Sequence, residues 1–417
     1  MQSHPKIHPQ KVLNGEIHNW YRITLGFSDQ LVSGLLDKFE VESGQWVLDP
    51  FCGSGTTLVE CKKRGVNSIG IDANPSSFFA SKVKVNWGLN ISKILQFAMQ
   101  IEGEYKKEIK NSSSYKADPT FTYLSESGML ERGWISPKPL KKSIVLKRAI
   151  STINLPLKYR ELYFLALVDE VVTDASNIKF GPQPYCSDPK DDVDVLGGFL
   201  KRINNMANDL KKIKPISNSV TKVLLGDARE CDRVVLHPRL FTSVICSPPY
   251  PGEHDYTRHS RLELAFLEDV TDKGSLRLIK RRMIRSNTKG IYKEDNDFEY
   301  VVNNESLEPI IRKINKRAKD KSHGFARLYS TVVQEYFGGM KKHLINLKKL
   351  LKPGAQCAYV VGDQSSYLQV HIPTAKILGE IADELGYQVV EISPWRTTWA
   401  TRTSKKLNEN ILIFKKR

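Results

Sequence analysis

The segment from Trp46 to Asp72 constrains the fold more than any other stretch of the chain. Trp46-Val47-Leu48 reads as a short apolar strand that delivers Asp49 into the turn Asp49-Pro50-Phe51-Cys52-Gly53-Ser54-Gly55. Thr56 to Arg64 has helical spacing with Leu58 and Val59 inward, Gly65 ends that helix, and Ser68 to Ile71 is a second strand closed by Asp72. Strand, glycine turn, helix, strand and acid, in that order, make the first unit of a doubly wound α/β sheet. Glycines let a ligand approach the turn without a Cβ in the way, and the helix starting near Thr56 adds partial positive charge. An acid at the tip of the second strand is placed to bond a ribose hydroxyl. A dinucleotide fingerprint needs a further glycine where Leu58 stands, so a nucleoside without a pyrophosphate fits better.

After this unit the pattern breaks off. Residues 1–90 hold an N-terminal arm and the first part of the core, with an amphipathic helix from Asp29 to Phe39 ahead of the first strand. Residues 91–215 read as a mostly helical insertion, interrupted by the loop Phe180-Gly181-Pro182-Gln183-Pro184, and fit a recognition domain, a lid or a dimer surface. Trp134 and Tyr185 within it suit either packing or contact. The core resumes over 216–251 with strands at Lys222 to Leu225 and Phe241 to Cys246. Residues 252–327 form a second, basic insertion. The rest of the core spans 328–417: a helix from Leu328 that stops at Pro353-Gly354, a strand from Cys357 to Val361, a helix from Pro373 to Leu385, and a closing strand pair, Val389 to Ile392 and Ile411 to Phe414.

Ser247-Pro248-Pro249-Tyr250 follows the strand ending at Cys246. Two prolines hold the backbone extended and remove two donors, leaving rigid carbonyls at the strand's carboxyl edge, where open α/β sheets bind ligands. Tyr250 offers a flat face for stacking, and Ser247 a hydroxyl. An aromatic amine is a poor nucleophile because its lone pair is delocalised into the ring. Acceptors that hold its N–H bonds favour a more tetrahedral nitrogen whose lone pair points at an electrophile. A covalent attack on a ring carbon would need a cysteine nucleophile in this segment, and Pro249 and Tyr250 stand after the first proline instead. Cys246 lies on the strand side and reads as core packing.

Taken together, Asp49 to Thr57 and Ser247 to Tyr250 resemble the cofactor and catalytic motifs of amino-group DNA methyltransferases, which act on N4 of cytosine or N6 of adenine. The Ser-Pro-Pro-Tyr form resembles the N4-cytosine enzymes most, since adenine enzymes more often carry Asp or Asn first. The resemblance extends over residues 15 to 90 and 220 to 417, including Gly70 to Pro75 and Gly226-Asp227-Ala228. It implies a class I S-adenosylmethionine-dependent methyltransferase, Rossmann-like, with a mostly parallel seven-stranded sheet and two insertions. By the same resemblance Asp49, Pro50, Phe51, Cys52, Gly53, Ser54, Gly55 and Thr56 would hold the amino-acid part of S-adenosylmethionine, Asp72 its ribose and Asp227 its adenine. Ser247 and the Pro248 carbonyl would hold the target amine while Pro249 stiffens the loop and Tyr250 stacks on a base flipped out of the duplex. Transfer would be direct, leaving S-adenosylhomocysteine, in a restriction–modification or related defence setting beside a separately acting endonuclease. Other readings of the same motifs are N6-adenine methylation, methylation of RNA or of a protein glutamine, and a DNA-binding subunit without catalysis.

A formal charge of +17, with sixteen Tyr and six Trp among the cations, suits duplex DNA as partner. Arg277, Lys280, Arg281, Arg282 and Arg285 follow the catalytic segment closely and are expected to contact phosphates, with a second cluster at Arg312 to Lys321. Six scattered cysteines without a Cys-x-x-Cys pair argue against a zinc ribbon and a disulfide framework. The start of the chain lacks the apolar core of a signal peptide and no stretch reaches the length of a membrane span, so a cytoplasmic setting is expected. His4, His8 and His18 are read as part of a mobile arm over the cofactor, and no metal is assigned.

Overall fold

The computed structural model describes residues 15–21, 26–181, 183–213, 219–236, 240–319, 324–365, 367–399 and 406–417. The seven strands of its main sheet are β1 (Trp46–Asp49), β2 (Asn67–Asp72), β5 (Thr221–Leu225), β6 (Phe241–Cys246), β7 (Leu351–Gly362), β8 (Tyr387–Trp399) and β9 (Lys406–Lys416). They lie in the order β5-β2-β1-β6-β7-β9-β8, and β9 alone runs antiparallel to its neighbours. This is the doubly wound, mostly parallel sheet of a class I methyltransferase fold.

Alternation along the central strands accounts for the layers. Val47, Ile245, Ala358, Val360, Ile411 and Ile413 point to one face, where Leu31, Val32, Leu35 and Leu36 of helix α1 (Asp29–Lys38) cover them. Their neighbours Leu48, Val244, Cys246, Cys357, Tyr359 and Leu412 point to the other. There they meet the long helix α14 (Tyr329–Leu350) and α15 (Thr374–Glu384). Both faces are buried, which is why these strands read as unbroken apolar runs. Helices α2 (Thr56–Lys63) and α3 (Pro75–Lys84) complete the first unit.

Between α3 and β5 stand five helices: α4 (Ile91–Glu108), α5 (Pro119–Glu126), α6 (Pro137–Thr152), α7 (Leu157–Glu170) and α8 (Val195–Lys212). They share an apolar core with Ile94, Ile144, Leu162 and Phe199 fully buried or nearly so. The last turn of α7 widens into a π turn over Val171–Ala175, and a two-stranded hairpin, β3 (Ile178–Lys179) with β4 (Tyr185–Cys186), follows it. Short helices α9 (Cys231–Val234), α10 (Tyr256–His259) and α11 (Arg261–Phe266) lie on either side of the catalytic strand's end. Helices α12 (Lys273–Arg282) and α13 (Leu307–Lys319) come next. Buried Lys147 of α6 bonds Asp118 at 2.9 Å and Glu268 at 2.5 Å, tying the helical insertion to the segment after α11.

Two boundaries differ from the sequence expectation. Helix α14 ends at Leu350 and β7 starts at once, with Pro353-Gly354 accommodated where the pairing with β6 skips from Phe241–Leu351 to Ser243–Gln356. The β8–β9 ribbon also outruns its apolar stretch, continuing through Arg396, Thr397, Asn408 and Glu409. Apolar pattern marks only the half of a strand that packs on a core; the outer half is held by its ladder and carries side chains toward the cleft described below.

Candidate active site

Strand order reverses between β1 and β6, whose carboxyl ends lie side by side with Val47 opposite Ser243 and Leu48 opposite Val244. That register brings the turn after Asp49 next to Ser247, and a cleft of about 500 Å³ opens there, at the topological switch point. Pro50, Phe51, Gly53, Asp72, Ala73 and Asn74 line one end, and Ser247, Pro248, Pro249 and Tyr250 the other.

At the first end the carboxylates are wired to backbone. Asp72 Oδ2 accepts from the Gly53 N–H and Oδ1 from the Asn74 N–H, both at 2.8 Å, so one side chain ties the two turns together. Asp49 Oδ1 accepts from the Phe51 N–H at 3.0 Å, while Oδ2 is buried without a partner. Gly53 and Gly55 have φ of 51° and 83°, the left-handed region that the turn needs, and a Cβ on Gly55 would meet Ser81 at 3.1 Å. Burial pushes the Asp49 carboxyl up to about 7, with the Asp72 charge adding to it. Burial also raises Asp72 to about 6 against three backbone N–H bonds that lower it. Cys52, Ser54 and Thr56 are buried behind the wall. The Phe51 ring lines the cleft and meets His343 edge-on at 5.0 Å. His343 is fully buried between the Ala228 carbonyl and the Tyr359 hydroxyl, and burial lowers it to about 4, so it is neutral.

At the second end the contacts come from far along the chain. Ser247 Oγ donates to the Val360 carbonyl at 3.2 Å and lies 3.3 Å from the Tyr250 hydroxyl. Tyr250 donates to Glu409 Oε1 at 3.1 Å, and Glu409 is held by the guanidinium of Arg396, its partner across the β8–β9 ribbon. The Tyr250 N–H donates to the Tyr256 hydroxyl at 3.0 Å. The Tyr250 ring lies against Gly362, where a Cβ would come within 3.2 Å of it. Burial and the nearby Glu409 charge hold the Tyr250 hydroxyl well above its ordinary range, so it stays protonated. Cys246 is fully buried below this end, and burial raises its thiol well above the ordinary range.

The remaining wall was not foreseen. Tyr21 donates to the buried Glu263 at 3.1 Å, and burial pushes that carboxyl up to about 7. Asn74 bonds Ser260 at 2.8 Å. Phe180 stacks on His259 at 6.2 Å, and the hairpin tip bonds across to the loop after the catalytic segment, Gln183 Nε2 to the Glu253 carbonyl at 3.0 Å. Exposed Tyr185 and the π-turn residues Val172 and Thr173 complete this side, while Trp134 is buried in the insertion's core. An acid inside an apolar helix, Leu262-Glu263-Leu264-Ala265-Phe266, and opposite charges on facing strands, Arg396 and Glu409, were the available signals.

Three expected residues stand elsewhere. Arg285 is buried, paired with Asp295 at 2.6 Å and donating to the Lys280 and Met283 carbonyls, so it has no face for a phosphate. Lys280 is half-buried against Asp255 at 2.7 Å. Asp227 accepts from the backbone N–H and the guanidinium of Arg229 and faces a neighbouring depression, leaving Ala228 as the part of that turn that reaches the cleft. The nearby guanidinium competes for the carboxylate that was expected to face a ligand. Arg277 and Arg281 are exposed, flank Glu294 and lie over the Tyr292 ring, while Arg282 is exposed and lines the cleft. Of the second cluster, Arg312 pairs with Glu308 and Arg317 donates to the Leu368 carbonyl; Lys321 lies outside the described residues. His4, His8 and the early arm also lie outside them, and buried His18 bonds Glu60 at 2.7 Å beside Lys63. No helix among the described residues is long and apolar enough to cross a membrane.

The N6/N4 methyltransferase family, described as DNA methylase, matches residues 20–82. The chain is similar to the Type II methyltransferase M.BsoBI of Geobacillus stearothermophilus, 27% identical over 91% of this chain and 80% of that protein. It is also similar to the Type II methyltransferase M.AvaI of Nostoc sp., 23% identical over 90% of this chain and 80% of the relative. Among solved structures, TrmN from Thermus thermophilus overlaps 94% of this chain and 49% of its own, at 10% identity and a TM-score of 0.28, too loose a likeness to inform function.

Proposed function

The chain belongs to the N6/N4 amino-methyltransferase family of DNA methylases, and from that premise we propose that it methylates the N4 amino group of cytosine in duplex DNA. The single observation that carries this reading is the juxtaposition, in one cleft, of the Asp49–Asp72 turns with the Ser247–Tyr250 segment. The residues present fit S-adenosylmethionine: a glycine turn that admits close approach, and beside it in the cleft the Asp72 carboxylate, which suits a cationic ligand. When bound, S-adenosylmethionine supplies an electrophilic methyl group on a sulfonium, whose departure leaves the neutral thioether S-adenosylhomocysteine.

The protein's part is to position and orient. Asp72 orders the glycine turn through Gly53 and keeps lone pairs for ribose hydroxyls; Asp49 fixes the start of the turn. Asp227, once freed from Arg229, is the group proposed to reach the adenine amine. Ser247 Oγ and the Pro248 carbonyl accept the N–H bonds of the target amine, which draws its lone pair out of the ring, and the Tyr250 face stacks on the base. The methylated nitrogen is then strongly acidic and releases its proton to water. Phe180, Tyr185 and Tyr250 line the cleft with aromatic faces, which supports a reading in which the base leaves the duplex to enter it. The serine at the first motif position supports cytosine over adenine. The buried, raised Cys246 thiol gives no support to a covalent route through a ring carbon.

Exposed Arg277, Arg281 and Arg282 are the cations proposed to meet phosphates, and the naming of the relatives as Type II methyltransferases supports a restriction–modification setting with a separate endonuclease. Label transfer tests the reading. With methyl-labelled S-adenosylmethionine and duplex DNA, the wild type should label DNA, and Ser247→Ala should transfer roughly a hundredfold more slowly with cofactor affinity nearly unchanged. Undiminished transfer by Ser247→Ala would remove the proposed acceptor.

A further inference from the structure

The Ser247–Tyr250 end of the cleft contains two hydroxyls whose protons are both spoken for. Ser247 Oγ donates to the Val360 carbonyl at 3.2 Å, and a carbonyl only accepts. Tyr250 donates to Glu409 Oε1 at 3.1 Å, and a carboxylate only accepts. The two hydroxyl oxygens lie 3.3 Å apart, and with the Tyr250 proton on Glu409 only Ser247 can donate across that contact, its proton lying within reach of both Tyr250 and the Val360 carbonyl. With no proton arriving from Tyr250, the Ser247 oxygen keeps its lone pairs for a group that donates, and an exocyclic amine carries the N–H that fits.

We infer that Glu409 is a positioning residue that draws the Tyr250 proton away from Ser247 and so keeps Ser247 Oγ as an acceptor for the target amine. The inference rests on the amine-methylation reading above. Glu409 is buried, lines the cleft and sits opposite Arg396 in the β8–β9 register. Arg396 Nη2 donates to the same Oε1 at 3.0 Å, and its Nε contacts Oε2. The guanidinium itself is steadied over the Trp395 ring at 4.5 Å. Both carboxylate oxygens are therefore held as acceptors, and Tyr250 has no donor on the Glu409 side to turn its proton away. If Glu409 became a donor, the Tyr250 proton would swing to Ser247, occupy its oxygen and leave the amine with less to bond.

Glu409→Gln makes that change with little loss of shape: the guanidinium takes the single amide oxygen and the amide N–H2 faces Tyr250. The test measures methyl transfer and cofactor affinity in the full chain for the wild type, Glu409→Gln, Tyr250→Phe and the double variant. The expected result is that Glu409→Gln lowers kcat roughly tenfold to a hundredfold with cofactor Kd within about twofold, because an acceptor is lost only where the amine binds. In the Tyr250→Phe background, which has no proton to direct, the added Glu409→Gln change should alter kcat less than about twofold. An equal penalty in both backgrounds would mean that Glu409 serves only its ion pair with Arg396, and the inference would fall. If Glu409→Gln does not fold, Glu409→Ala takes its place in the wild-type and Tyr250→Phe backgrounds: a loss of kcat confined to the Tyr250 background upholds the inference, and an equal loss in both overturns it. A wild type that transfers no methyl group to DNA removes the amine-methylation reading and this inference with it, whereas an active wild type with an indifferent Glu409→Gln removes the inference alone.

Discussion

At the β1–β2 end of the cleft, the carboxylates bond near neighbours: Asp49 reaches the backbone two residues on, and Asp72 reaches Asn74 and, 19 residues back, Gly53. At the β6 end, Ser247 bonds Val360 and Tyr250 bonds Glu409, 113 and 159 residues away. The first end is a local device that one strand–turn–helix–strand unit can build alone. The second exists only once β6, β7 and β9 are side by side in the sheet. The difference teaches where each end is vulnerable: the first through its buried carboxylates, the second through hydroxyl geometry set by distant strands.

If the two ends are separate devices, substitutions should separate them. Asp72→Ala removes the acceptor of two backbone N–H groups at once and should weaken cofactor binding about a hundredfold by calorimetry. Tyr250→Ala should cut turnover about as strongly while leaving cofactor affinity within about threefold. A Tyr250→Ala variant that loses cofactor affinity as severely would merge the two ends into one.

The carboxylates sharpen the contrast through pH. Asp49 and Asp72 titrate near 7 and 6 in the folded chain, above the ordinary carboxylate value of about 4. Groups raised in this way stabilise the folded chain fully below that ordinary value and lose the contribution as pH rises through 6 to 7. A cationic ligand favours their ionised form, so S-adenosylmethionine affinity should tighten roughly tenfold from pH 5.5 to 7.5, with proton release. Asp49→Asn should flatten that rise. A pH-independent wild-type affinity would contradict the placement of these acids beside the cation.

Smaller effects are expected where the cations divide. Arg282→Glu should lower DNA affinity severalfold and reduce its salt slope by about one to two, because its head lines the open cleft. Arg285→Ala should leave the salt slope unchanged and instead lower thermal stability, since it removes a buried guanidinium that pairs with half-buried Asp295. A change of slope with Arg285→Ala would return that residue to the DNA surface.

The same contrast explains what was legible in the sequence. Residues 46 to 72 could be read because period, turn chemistry and the terminal acid are all local, and the sheet followed from them. Ser247 to Tyr250 could be read as a rigid acceptor segment, but the partner that orients it lies on the polar outer half of β9, where no hydrophobic pattern marks a strand. Glu409 therefore went unnoticed, as did Glu263, whose burial depends on the fold of α11 against the insertion. Arg285 and Lys280 show the reverse error: spacing along a basic run cannot tell which cations turn inward to Asp295 and Asp255. Asp227 is a different case, since a guanidinium two residues on holds the acid that the motif assigns to a ligand.

The most direct test of the whole account is to incubate unmethylated DNA with the protein and S-adenosylmethionine, digest it to nucleosides and identify the modified base by mass spectrometry. The account predicts N4-methylcytosine, formed roughly a hundredfold more slowly with Ser247→Ala; 6-methyladenine or 5-methylcytosine as the sole product would contradict it.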